Sequence, residues 1–205
     1  NGTTVIDTDV TDITTSQTSY TSANKTVTIP ADTWETVDDT VDLEMLVVSD
    51  TANAICGVQV LLDGNVLDLK GVSGLLTDVL FNGGGGYAGA RIKVSLVMSA
   101  SGSITPITSC DVMRTTFSTY STPYVGADKV FASQSARGAA TTGLTFSSTN
   151  DIVVKMKTDT GNIKMFYYQL TSKKKSRNAR KIKMKIMIIM KLKKNKEPLP
   201  SSCRW

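Results

Sequence analysis

Five short runs of this chain alternate apolar and polar residues, and that alternation constrains the fold more than any other feature. "TVDLEMLVVS" places Val41, Leu43, Met45 and Val47 on one face, with Asp42 and Glu44 opposite. "GVQVLLDGNVL" aligns Val58, Val60 and Leu62, and "RIKVSLVMS" aligns Ile92, Val94, Leu96 and Met98 against Arg91, Lys93 and Ser95. "DIVVKMK" sets Ile152, Val154 and Met156 against Lys155 and Lys157, and "IKMFYYQL" follows. Successive side chains of a strand point to opposite faces, so each run describes a strand with one buried and one solvated face. Such strands belong to antiparallel sheets.

Turn chemistry punctuates the runs. Asp63-Gly64-Asn65 suits a tight hairpin, and Asp159-Thr160-Gly161-Asn162 turns one strand back into the next. Ala31-Asp32, Asn82 to Gly86, Ser99 to Ser103 and Ser118 to Thr142 read as further turns and loops. A short turn of helix is expected only within "KGVSGLLTDVLF" or "GADKVFASQSARGAA". Many strands, tight turns and almost no helix predict an all-β fold: an antiparallel β-sandwich, jelly-roll-like, followed by a basic C-terminal extension.

Three regions are expected. Residues 1–24, rich in Thr, Ser and Asp, read as an extended lead-in or edge strand, and residues 25–172 as the β-sandwich. Residues 173–205 form the extension. Charge marks that last boundary: residues 1–172 hold ten Lys/Arg against seventeen Asp/Glu, a net of −7, whereas residues 173–205 hold thirteen against one, a net of +12. The overall basicity therefore belongs to the extension and the sandwich is acidic. No apolar run is long enough to span a bilayer. No signal-peptide pattern opens the chain, and a first residue of Asn1 rather than Met reads as a processed or partial chain.

The order "TVTIPADTW", an alternating strand, "VQVLLDGNVL", a glycine-rich break, "ARIKVSLVMSASGSITP" and the closing "TTGLTFSSTNDIVVKMKTDTGNIKMFYYQLTS" resembles jelly-roll-like modules of tailed-phage virion proteins. These include tail, fibre and head-decoration components. The resemblance covers about residues 25–172. It implies a virion structural or host-recognition role in an extracellular particle, with copies of the chain and other virion proteins as partners. A host surface glycan is a further partner on this reading. The motifs include no catalytic signature, so no functional residue is transferred.

The chain has no His, which removes Ser-His-Asp and Cys-His catalysis and His-based zinc sites. Cys56, Cys110 and Cys203 are too widely spaced for a zinc pattern. Buried free thiols are expected for the first two, with a Cys56–Cys110 disulfide as the alternative. Gly84-x-Gly86-x-x-Gly89 matches a dinucleotide fingerprint in spelling, but a strand pattern follows it where a helix is required. It reads as a loop between strands. Asp7, Asp9 and Asp12, and the group Asp38, Asp39, Asp42 and Glu44, lack the shaped loop that calcium requires and read as solvated strand faces. The expectation is a protein without enzymatic activity, cofactor or bound metal.

Aromatic rings stack on sugar faces, which makes Trp34, Tyr87, Tyr120 and Tyr124 the candidate contacts for a glycan or partner protein. Anchoring the ends of the sandwich is the other role open to such residues. A carbohydrate-binding module of a secreted bacterial protein is the alternative function.

Within the extension, Ile182, Met184, Ile186, Ile188, Met190 and Leu192 fall on every second position, which is not the stripe of a membrane-surface helix. From Lys173 to Lys196, twenty-two of twenty-four residues have codons beginning with A; Ala179 and Leu192 are the exceptions. A shifted reading frame in an A-rich gene gives such a peptide, so residues from about Lys173 read as frameshifted or non-native. A genuine basic arm, with nucleic acid as its partner, is the competing reading.

Overall fold

The computed structural model describes residues 2–69, 78–82, 88–114, 124–125, 128–129 and 133–175. Among the described residues fifteen strands run in order: β1 (Thr3–Asp9), β2 (Ile13–Thr15), β3 (Lys25–Ile29), β4 (Thr40–Ser49) and β5 (Ile55–Leu62) come first. Then follow β6 (Asn65–Val66), β7 (Val79–Asn82), β8 (Ala88–Ala100), β9 (Ser103–Arg114), β10 (Tyr124–Val125) and β11 (Asp128–Lys129). The last four are β12 (Ser133–Arg137), β13 (Thr141–Thr142), β14 (Asn150–Thr158) and β15 (Ile163–Lys173).

The larger sheet runs β1-β15-β4-β8-β9-β12, with β2 beside β15 and β13 beside β9. The smaller runs β3-β14-β5-β6, with β7 also beside β5, and β10 and β11 form a separate pair. Every pairing is antiparallel. Eight of the strands nest from the outside in: β1 pairs β15, β3 pairs β14, β4 pairs β8 and β5 pairs β7. This is the pairing of one long hairpin rolled into two sheets, a jelly roll. The strands β9, β12 and β13 widen the larger sheet beyond that set.

The alternating residues meet in the interior as expected. Val41, Leu43, Met45 and Val47 of β4, Ile92, Val94 and Leu96 of β8, Val58, Val60 and Leu62 of β5, and Ile152, Val154 and Met156 of β14 belong to one buried cluster. Burying each such side chain contributes about 1.5–3 kcal/mol, which makes this cluster the main source of stability. Cys56 and Cys110 are both buried and are not joined to each other, so the disulfide alternative is not realised. Burial pushes the Cys56 thiol above its ordinary pKa.

The Asp63-Gly64 turn has φ of 48° and 77°, the two left-handed residues of a type I′ hairpin between β5 and β6. Asp63 also accepts hydrogen bonds from the Asp151 amide (2.8 Å) and the Asn150 side chain (2.6 Å), tying that turn to β14.

Among the described residues there is no helix. Val79–Asn82 and Ser133–Arg137, which overlap the two stretches expected to carry a helical turn, are strands; residues 70–77, 126–127 and 130–132 of those stretches lie outside the described residues. The lead-in is part of the sheet: β1 and β2 both pair β15, and one compact unit spans Gly2–Lys174. Between β2 and β3 the chain crosses to the smaller sheet, where side chains substitute for a strand. The Gln17 side chain donates to the Met156 carbonyl (2.7 Å), and Asn24 Oδ1 accepts from the Met156 amide (2.6 Å). Backbone groups of β14 beyond the end of β3 are satisfied in this way.

Candidate interaction surface

The outward face of the larger sheet gathers more chemistry than any other described region. The registers align rows of side chains across it: Gln169, Glu44, Lys93 and Ser109; Thr171, Asp42, Ser95 and Ile107; Tyr167, Leu46, Arg91 and Asp111. Opposite charges on neighbouring strands pair. Arg91 grips Glu44 Oε1 with two nitrogens at 2.7 and 2.9 Å, while Lys173 (2.7 Å) and Lys93 (3.4 Å) converge on Asp42 Oδ2.

Asp42 points outward yet is buried, because the two lysine stems cover it. Burial alone would raise its pKa, but the Lys173 ammonium, the Ser95 hydroxyl and Lys93 hold it below the usual carboxylate range. Next to this ladder the same face turns apolar. Leu46 and Val48 of β4 and Tyr167 of β15 point outward and are half-buried.

Phe166 joins them through a β-bulge. Met165 pairs with Val47 and Tyr167 with Leu46, so Phe166 is an extra residue, 37% exposed. The bulge shifts the phase of the strand: Ile163 and Met165 face the core before it, Tyr168 and Leu170 after it. Asp9 pairs with Tyr168 and Ile13 with Met165, which sets the intervening Val10, 76% exposed, alongside the bulge. Bulges re-aim side chains, and this one turns an aromatic ring outward.

Of the four sequence-predicted contacts, Trp34 and Tyr124 fall among the described residues. Trp34 is not a surface residue: it is 2% exposed, its indole N–H donates to the Leu96 carbonyl (3.2 Å), and its ring packs at 5.2 Å from Phe146. The turn around it is drawn inward. Asp39 accepts from the Glu35 and Thr36 amides, and Asp38 and Asp39 exchange backbone hydrogen bonds with Met98. A large ring beside a sandwich end gains more from burial than from exposure. Tyr87 and Tyr120 lie outside the described residues, as do the first two glycines of Gly84-x-Gly86-x-x-Gly89, whereas Gly89 sits in β8. Tyr124 opens the two-residue strand β10.

The acidic residues have separate structural duties. Tyr168 donates to Asp7 (2.5 Å), Asp9 pairs with Lys25 (3.7 Å), and Asp39 caps the Trp34 turn. Among the described residues no group of three or more His, Cys, Asp or Glu is arranged to hold a metal ion. Nor, among them, is any helix long and apolar enough to cross a membrane. The bulge had one sequence signal: in Phe166-Tyr167-Tyr168, alternation leaves no single face for three large rings in a row.

No protein-family model matches the chain. No curated protein and no solved structure matches it either.

Proposed function

We propose that the chain is a non-enzymatic structural module of a phage-like virus particle, a tail, fibre or head-decoration component in an extracellular virion. It works by packing against copies of itself and against other virion proteins. The observation supporting this reading is the outward face of the larger sheet, where Phe166, Tyr167, Leu46 and Val48 form an apolar end to a ladder of paired charges. Contacts between protein subunits combine such features: an aromatic and aliphatic centre with a charged, hydrogen-bonding rim. Closed symmetry makes one patch serve every copy, so an oligomer is expected, a trimer in a fibre.

The burial of Trp34 takes away one of the four rings on which the carbohydrate-binding alternative rested. A glycan array read together with native mass spectrometry separates the two. The virion reading expects a defined oligomer in the absence of any sugar. A monomer that retains a glycan tightly would replace it with the binding-module reading.

A further inference from the structure

A strand at the end of a sheet presents backbone groups that another chain can pair with. Among the described residues β1 and β12 end the larger sheet, and β3 and β6 end the smaller. Strands β12 and β3 have five residues each and β6 has two. Arg137 closes β12, while Lys25 opens β3, which runs into Pro30. Short length, cationic side chains and proline are the usual means of keeping a sheet edge from pairing with another chain. Strand β1 has none of them. It has seven residues, Thr3–Asp9, without Lys, Arg or Pro. Its two carboxylates are occupied within the sandwich: Asp7 accepts from the Tyr168 hydroxyl and Asp9 pairs with Lys25. Exposed apolar side chains collect along the same edge. Of the six exposed large hydrophobic residues among the described ones, Val5 lies in β1, Val10 follows it, and Phe166 stands on neighbouring β15. Val5 pairs with Thr171 and Thr171 with Asp42, so Val5, 52% exposed, stands on the outward face as Phe166 does.

We propose that β1 is an assembly edge: it pairs antiparallel with β1 of a second copy across a two-fold axis, joining two larger sheets into one. The proposal rests on the packing reading and names where the second copy enters. An antiparallel edge is complementary to itself, because each strand offers both N–H and C=O groups and a two-fold axis presents them in matching order. Charge permits the approach, since β1 carries no cation and its two acids are engaged by Tyr168 and Lys25. A cationic strand from another protein is the poorer occupant, because β1 offers it no carboxylate without a partner in its own chain. The irregularity between Val5 and Asp7 limits straight pairing to the first part of β1. Backbone pairing that short does not persist alone. Burial of Val5 and Val10 against the neighbour, beside Phe166, supplies the rest.

The test is hydrogen–deuterium exchange of the full chain, read by mass spectrometry on peptides covering residues 2–15. Concentration is varied over a range of about a hundredfold, with the solution mass measured in parallel. Amides of β1 that face away from β15 should exchange freely in the dilute chain and slow by about tenfold or more as the mass rises. Val5→Lys, which sets like charges along the seam, should remove that protection and weaken association by about tenfold or more. Exchange in β4 and β8 should stay as in wild type, and Thr3→Lys supplies the same comparison if Val5→Lys disturbs the fold. A mass that rises while β1 still exchanges freely overturns the edge pairing and leaves packing through the outward face standing. An oligomer indifferent to Val5→Lys and Thr3→Lys does the same. A chain that stays monomeric at every concentration overturns both.

Discussion

At the scale of single residues, Asp42 is the most informative carboxylate. It is buried on an otherwise solvated face and held by Lys173, Ser95 and Lys93. Its pKa is lower in the folded chain than in the unfolded one. Its contribution is therefore complete above the ordinary carboxylate pKa and disappears as pH falls through the folded value. Asp42→Asn should lower stability by about 1–2 kcal/mol at neutral pH, a modest figure because both lysines are partly exposed. In urea denaturation, the gap between wild type and variant should close as pH falls below the ordinary carboxylate range; a gap that persists in acid contradicts this role. Gly57 makes a second residue-scale case. A Cβ there would overlap the Tyr20 hydroxyl, which donates to Asp78 (2.7 Å), while Lys157 lies 4.5 Å over the Tyr20 ring and 3.4 Å from Asp78. Burial and the Asp78 hydrogen bond push the Tyr20 phenol pKa upward, so it remains a donor. Gly57→Ala should cost about 1–3 kcal/mol. In a Tyr20→Ala background the same substitution should cost much less, and thermal melts of the four proteins measure that coupling. Additive losses would mean that the ring does not occupy the space over Gly57.

At the scale of elements, β15 is the strand that the rest of the larger sheet depends on, since β1, β2 and β4 all pair with it. Its bulge sets which residues enter the core. Deleting Phe166, the extra residue, should restore plain alternation with Met165, Tyr168 and Leu170 all still facing the core, so cooperative unfolding by near-UV circular dichroism should survive. Loss of the cooperative transition in the deletion would contradict the reading of Phe166 as the extra residue. The strands that alternate strictly, β4, β5, β8 and β14, were legible in the sequence because a half-buried strand imprints its period directly. The strand β12 was not, because "SQSAR" carries no apolar face. The placement of Trp34 was not legible either. Its neighbours Ala31-Asp32 read as a turn, and a turn signal does not say whether its ring is tucked under or left in water. Nor was the Asp42 hub, because its two lysines come from β8 and β15, far away in sequence.

At the scale of the whole molecule, the rolled-hairpin pairing explains why residues from both ends of the compact unit share one sheet. Strand β1, from the first residues, lies beside β15, from the last. That arrangement places the ladder and the bulge on a single strand framework. A patch of outward Phe166, Tyr167, Leu46 and Val48 is expected to bury itself against an equivalent patch or a neighbouring protein. Changing outward members of it should weaken association more than folding, since Phe166 is exposed and Leu46 half-buried. The most direct measurement is the solution mass of the full chain by light scattering over a hundredfold range of concentration, for wild type and for Leu46→Lys/Phe166→Glu. The expected result is a defined oligomer for wild type and a monomer that still melts cooperatively for the double variant. A wild-type chain that stays monomeric throughout, or an oligomer indifferent to both substitutions, would contradict packing through this face.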